Sequence, residues 1–139
     1  MRYIVIITAV IAVDLITKQY MKKRINNTKT WLFLEFSIVK NQGAAFGLFK
    51  NNKKILMISI IMALVFIASV FAIEKNNTVR TGLSFVFGGA LGNFIDRIRN
   101  GYVTDFIKLR IKRSPFVNIA DLSIISGGLI CVIHVLTMQ

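Results

Sequence analysis

The stretch Ile55–Ile73 runs for nineteen residues without a charged side chain, and Ser59 and Ser69 are its only polar groups. As a helix rising about 1.5 Å per residue, it nearly matches the roughly 30 Å hydrocarbon core of a bilayer. A chain of 139 residues has too little interior to hide such a segment, and in lipid a helix satisfies its own backbone hydrogen bonds. Three more apolar runs follow the same logic, at 3–21, 79–98 and 119–137. The expected class is an all-α membrane protein with four transmembrane helices, built as one integral membrane domain over 1–139. Arg2 followed by Tyr3–Val13 has the look of a signal peptide. The run continues past Asp14 and Lys18, however, and has no clear small-residue cleavage site, so a retained span is expected.

Composition narrows the function. The chain is 55% hydrophobic with mean hydropathy +0.64, and only 17% of residues are charged, below the roughly 25% usual in soluble domains. Eighteen Lys and Arg against six Asp and Glu give a net charge of +12. The basic residues flank apolar runs, where they attract anionic head groups, and no soluble domain carries them, so nucleic acid is not an expected partner. A single Cys131 cannot form an internal disulfide. Cys131 and the only histidine, His134, both fall near the end of the last run and cannot build a zinc site. No metal and no cofactor are expected.

The connections are informative. Trp31–Val39 is rich in aromatic and branched residues and alternates over 34–38, which predicts a strand lying on the membrane surface. Asn41-Gln42-Gly43 signals a turn, followed by Ala44-Ala45-Phe46-Gly47. From Phe106, apolar Ile107, Leu109 and Ile111 alternate with Lys108, Arg110 and Lys112, predicting an extended ribbon with a basic face. Asn100-Gly101 is a turn, and Pro115 stops any helix. Gly88 and Gly92 form a small-xxx-small pair, and Gly127 with Gly128 also suggests close packing. Asn118 and Asp121 have the spacing of a capping box.

Polar residues segregate. Consecutive spans alternate in direction, so Asp14, Lys18, Asn93, Asp96, Arg97, Asp105, Asn118 and Asp121 all map to one side of the membrane. Asp14 and Lys18 share a helix face at i,i+4, as do Asn93 and Arg97. His134 maps to the other side, which excludes a Ser-His or Cys-His nucleophile. Carboxylates remain. Two Asp held together share a proton; the ionised member draws a proton from water while the protonated one donates to a carbonyl. Asp105 and Asp121 are the expected pair, with Asp96 a supporting group beside Asn93 and Arg97. A small transporter using Asp14, Lys18 and Asp96 would need charges spread through the membrane depth, and they collect at one edge. A membrane scaffold would explain the glycines but not the clustered Asp.

Asn93-Phe94-Ile95-Asp96-Arg97, Val103-Thr104-Asp105-Phe106 and Phe116-Val117-Asn118-Ile119-Ala120-Asp121, together with Asp14-x-x-x-Lys18 and Asn41-Gln42-Gly43-Ala44-Ala45-Phe46-Gly47, resemble the lipoprotein signal peptidase family (signal peptidase II) along nearly the whole chain and in order. The resemblance implies a bacterial membrane aspartic protease that cuts prolipoproteins before a diacylglyceryl-modified Cys. It implies catalytic Asp105 and Asp121, with Asp14, Lys18, Asn41, Gly43, Asn93, Asp96, Arg97 and Asn118 binding substrate or supporting the site. It further implies a small extracytoplasmic β-rich cradle between helices 1 and 2, and an active site near the extracytoplasmic face of the cytoplasmic membrane. The expected partners are lipidated prolipoproteins and membrane phospholipid, and the expected state is a monomer. The positive-inside rule points the other way, because both long connections carry most of the Lys and Arg.

Overall fold

The structure, a computed structural model, describes residues 1–43 and 52–138. Four helices and three strands follow in the order α1 (Arg2–Arg24), β1 (Lys29–Trp31), β2 (Leu34–Asn41), α2 (Lys53–Ile73), α3 (Asn77–Asn100), β3 (Val103–Leu109) and α4 (Ile119–Thr137). The helix ends carry the chemistry that their unpaired backbone groups require. Asn52 caps α2 by accepting from the Ile55 amide at 3.1 Å. Asn76 caps α3 by accepting from Thr78 and Val79. Gly101 closes α3 in the left-handed region at φ 76°, which an Asn-Gly turn suits.

Helix α3 is the centre of the bundle and touches α1, α2 and α4. Its glycines make this possible. A Cβ at Gly82 would lie 2.7 Å from the Gly127 carbonyl oxygen, and one at Gly127 would run into the Gly82 carbonyl, so α3 and α4 cross backbone to backbone. Gly92 admits the Asp14 carboxylate from α1 in the same way, with 2.9 Å left for a Cβ. The Gly88/Gly92 signal is therefore a packing seam with α1. Gly128 is a correction to the sequence reading: it opens onto empty space and does not serve packing. On the side of the bundle opposite the sheet, the Arg80 guanidinium lies 4.6 Å from both the Tyr3 and the Phe71 rings, and the Tyr3 hydroxyl donates to Asn77 at 2.7 Å. These contacts tie α1, α2 and α3 together at that end.

Three helices, α1, α2 and α4, are long and apolar enough to cross a membrane. Their outer faces carry exposed Ile4, Val13, Phe66, Val65, Leu129 and Ile133. The four apolar runs expected from the sequence thus become three apolar helices and one mixed helix. Helix α3 falls short because glycines and the polar residues at its C-terminal end dilute it. Enclosed by its three neighbours, it has little outer face on which apolar side chains would be needed.

The sheet corrects two further expectations. The single strand predicted over Trp31–Val39 is a hairpin, turning at Leu32, whose φ is 51°, and Phe33. The cradle is not confined to the first connection: β2 pairs antiparallel with both β1 and β3, in the order β1-β2-β3, and β3 comes from the second connection. The predicted ribbon through Lys112 ends at Leu109, and Arg113 takes a left-handed φ of 66° in the turn beyond it. Lys108 of that ribbon sits 3.6 Å from Glu35. The Ala44–Phe46–Gly47 segment lies outside the described residues.

The glycine seam gives a paired test. Gly127→Ala forces the α3–α4 crossing apart and should destabilise the protein by roughly 1–3 kcal/mol, whereas Gly128→Ala should be neutral or slightly stabilising. Thermal melting in detergent reads both; equal effects at the two positions would refute the seam.

Candidate active site

The four carboxylates of interest come from four different elements: Asp14 from α1, Asp96 from α3, Asp105 from β3 and Asp121 from α4. Helix α1 is exposed along most of its length and buries only Val10, Asp14 and Lys18. The four-residue spacing sets these on one stripe facing α3. The Lys18 ammonium donates to Asp14 Oδ2 at 2.7 Å and to Asn93 Oδ1 at 2.9 Å, and lies 3.6 Å from Asp96 Oδ2. Lys18 is 2% exposed and Asp14 is fully buried, so the i,i+4 pair is an interior anchor and not a surface ion pair. Asp14 Oδ1 accepts from the Ala120 amide at 3.0 Å, which ties the first turn of α4 to α1. Asp96 accepts from the Thr104 amide at 2.7 Å and from the Asn100 side chain, fixing the start of β3 to the end of α3.

Asp105 sits mid-strand on β3, opposite Val39 of β2. Asn41 Nδ2, at the end of β2, donates to its Oδ2 at 3.0 Å, and Asn118 Nδ2 donates to its Oδ1 at 2.7 Å. The segment before α4 reaches this strand because Val117 bridges Ile107 through backbone hydrogen bonds of 2.7 and 3.0 Å. Asp121 and Asn118 form the capping box: the Asp121 amide donates to Asn118 Oδ1 at 2.9 Å and the Asn118 amide donates to Asp121 Oδ2 at 3.2 Å. Asn93 Nδ2 donates to Asp121 Oδ1 at 2.8 Å, and Asn93 Oδ1 accepts from Asn118 at 3.1 Å. The two carboxylates are thus joined through Asn118 directly and through Asn93.

The remaining residues singled out in the sequence join the same network. Arg97 donates to the Gly43 carbonyl at 2.8 Å and to the Asn93 carbonyl at 3.4 Å. The Gly43 amide donates to Asn41 Oδ1 at 3.1 Å. All ten, Asp14, Lys18, Asn41, Gly43, Asn93, Asp96, Arg97, Asp105, Asn118 and Asp121, form one continuous set of polar contacts. The sequence could not reveal the backbone donors of Thr104 and Ala120, since every residue but proline carries an amide. Nor did it show that Val117 is the bridge that docks Asn118.

Burial pushes the Asp105 carboxyl up to about 6 from its ordinary 3.8. The hydrogen bonds from Asn41 and Asn118 oppose the rise, and the charge of Asp121 adds to it. A carboxyl in this state holds a proton at mildly acidic pH and can act as a general acid beside a second carboxylate. Among the described residues no cluster of three His, Cys, Asp or Glu side chains has the geometry of a metal site.

The linkage sign follows. Native Asp105 binds its proton more tightly than the unfolded chain does, so its stabilising contribution is complete below about pH 4 and is lost as pH rises through about 6. The melting temperature of the wild type should fall relative to Asp105→Asn by roughly 4 °C or more between pH 5 and 7.5. A constant difference over that range would show that Asp105 titrates normally.

Residues 6–137 match a protein family described as Signal peptidase (SPase) II. The chain is 36% identical to the lipoprotein signal peptidase of Clostridium tetani, over 96% of this chain and 91% of that protein. It is 35% identical to that of Clostridioides difficile, over 100% and 97%. Two solved structures, each described as a bacterial membrane enzyme, are similar in fold. One has TM-score 0.89 at 31% identity, covering 98% of this chain and 88% of that one. The other has TM-score 0.88 at 30% identity, covering 99% and 94%.

Proposed function

The chain belongs to the signal peptidase II family, and on that footing we propose that it removes signal peptides from prolipoproteins by aspartic catalysis at Asp105 and Asp121, cutting before a diacylglyceryl-modified cysteine. The observation that carries the reading is the Asn118–Asn93 bridge between a β3 carboxyl raised to about 6 and a carboxylate on the first turn of α4. Asp105, the buried member, holds the shared proton. Asp121 takes a proton from a water molecule as that water attacks the scissile carbonyl carbon. Asp105 gives its proton to the carbonyl oxygen, and a tetrahedral gem-diol forms without a covalent enzyme intermediate. Collapse breaks the C–N bond; the proton on Asp121 passes to the leaving amine, and a gem-diol hydroxyl returns its proton to Asp105 as the carboxylic acid forms.

The other residues serve this pair. Asn41 and Asn118 orient Asp105, and Asn93 orients Asp121. Lys18 and Asp14 hold Asn93 and the α4 start in register. Arg97 grips Gly43, and its Nε, buried without a partner among the described residues, offers a donor for a substrate carbonyl. The hairpin tip, with Trp31, Leu32 and Phe33 each about two-thirds exposed, supports a cradle resting on the membrane surface, where a lipidated peptide arrives by lateral diffusion. Helix α3 completes four membrane crossings, shielded from lipid by its neighbours. The protein works as one membrane domain, a monomer in the bacterial cytoplasmic membrane, with the active site near the extracytoplasmic face.

Cleavage of a lipidated prolipoprotein tests the chemistry. Asp105→Asn and Asp121→Asn should each lower turnover by roughly 10²–10⁴-fold or more while melting remains cooperative. Asp96→Asn should lower the melting temperature and leave measurable turnover, because Asp96 acts on the β3 start and Lys18. Full activity in either of the first two variants would overturn the assignment. A reporter fused at residue 28 should be found outside the cytoplasm; a cytoplasmic reporter would reverse the proposed orientation.

A further inference from the structure

A cavity of about 120 Å³ opens between α1 and α3 on the same side of the membrane as the carboxylate pair, yet neither Asp105 nor Asp121 lines it. Its walls are Leu15, Lys18, Gln19 and Lys22 of α1 with Asp96, Arg99 and Asn100 of α3. The floor is satisfied internally. Lys18 is engaged by Asp14 and Asn93, and Asp96 by Thr104 and Asn100. The mouth is not satisfied. Among the described residues, Lys22 and Arg99 have no carboxylate within 4 Å, and the Lys22 ammonium lies 5.5 Å from the Tyr102 ring, where Lys40 approaches to 5.2 Å. Two ammonium groups on one ring, with a guanidinium at the adjacent cavity mouth, make a positive patch that attracts an anion.

Among the described residues no side-chain carboxylate is left over for this role. All six acidic residues lie in the described part and are committed elsewhere: Asp14 and Asp96 to the floor, Glu35 to Lys108, Glu74 to the amides of Lys75 and Asn76, and Asp105 and Asp121 to each other's network. An anion at this mouth would come from outside the chain. We propose that this cavity is a phosphate-binding site that takes the head group of an anionic phospholipid, with Lys22 and Arg99 holding the phosphate at its mouth. Basic pockets between membrane helices recognise lipid phosphates in this way. Ile16 of α1 and Ile98 of α3, 65% and 61% exposed on the flanking turns, give an acyl chain an apolar surface beside the head group. Gln19 and Asn100 bring amide groups suited to head-group hydroxyls. The floor of the cavity is shared with the polar network through Lys18 and Asp96, but Lys22 and Arg99 are not part of that network, so lipid binding is read out without turnover.

The full chain in detergent, titrated with phosphatidylglycerol and followed by native mass spectrometry, tests the site. One tightly bound lipid is expected. Lys22→Gln/Arg99→Gln should weaken it by about 25-fold, or about fivefold per charge removed. Lys53→Gln/Lys54→Gln removes the same charge from the same membrane face at α2 and should change affinity less than about twofold. Lys22→Arg/Arg99→Lys should retain binding, which separates lost charge from misfolding. Phosphatidylcholine should bind weakly and equally to all variants. If inorganic phosphate alone binds with the same variant dependence and as tightly, the phosphate site stands and its occupant is the free ion. Unchanged phosphatidylglycerol affinity in the Lys22/Arg99 variant, or equal loss in the Lys53/Lys54 variant, would overturn the site.

Discussion

Lys18 is the contact on which the rest of the site depends. Its ammonium is buried among Asp14, Asn93 and Asp96, and each of these reaches a different part of the molecule. Asp14 holds the α4 start through the Ala120 amide, Asn93 holds Asp121, and Asp96 holds the β3 start through the Thr104 amide. Buried ion pairs contribute little net stability against an apolar replacement, because desolvation offsets the attraction. What this one contributes is position. With both carboxylates satisfied by fixed donors, α1, α3, α4 and β3 have one register in which every buried polar group finds a partner, and slips of either helix leave a charge unpaired at a cost of several kcal/mol.

The polar assembly around Asp105 and Asp121 is built on regular elements on both sides. Asp105 stands in a strand pinned by β2 on one side and by Val117 on the other, and Asp121 stands in a capped first helical turn. One asparagine, Asn118, does two tasks: its oxygen caps α4 and its nitrogen binds Asp105. The capping and catalytic readings of Asp121 are therefore compatible. The same carboxylate that satisfies the Asn118 amide presents its other oxygen to Asn93.

The distribution of charge acquires a reason from this geometry. With only six acids, four of them held in the site, the Lys and Arg of the connections have few internal partners. Some find ring faces, as Lys22 and Lys40 do at Tyr102 and Lys108 does at Phe116. A charge count along the sequence treats all of these alike. Lys18 is enclosed by carboxylates, whereas Lys22 one turn later meets only a ring face.

Much of the molecule was legible from residue order. The uncharged run Ile55–Ile73, the Asn100-Gly101 stop, the Asn118/Asp121 cap and the Asp14/Lys18 face are local patterns, and local backbone geometry enforces them. The gathering of the polar groups at one end of the helices also followed, because consecutive helices run in alternating directions. Other features could not be read, since they depend on contacts between distant segments. The sequence showed an alternating stretch over 34–38 but not the hairpin at Leu32, nor that β3 would complete its sheet. It flagged Gly127 and Gly128 alike, while the α3–α4 crossing uses only the first. It marked nine polar residues and Gly43 without the network that links them. The sequence thus determined the three long apolar helices, through hydrophobic run length, and which scarce carboxylates stand out. Only the tertiary structure decided that Asp105 is the buried carboxyl, raised above its ordinary value, and Asp121 the capped one, because burial and hydrogen bonding are set by packing between α1, α3, α4 and the sheet.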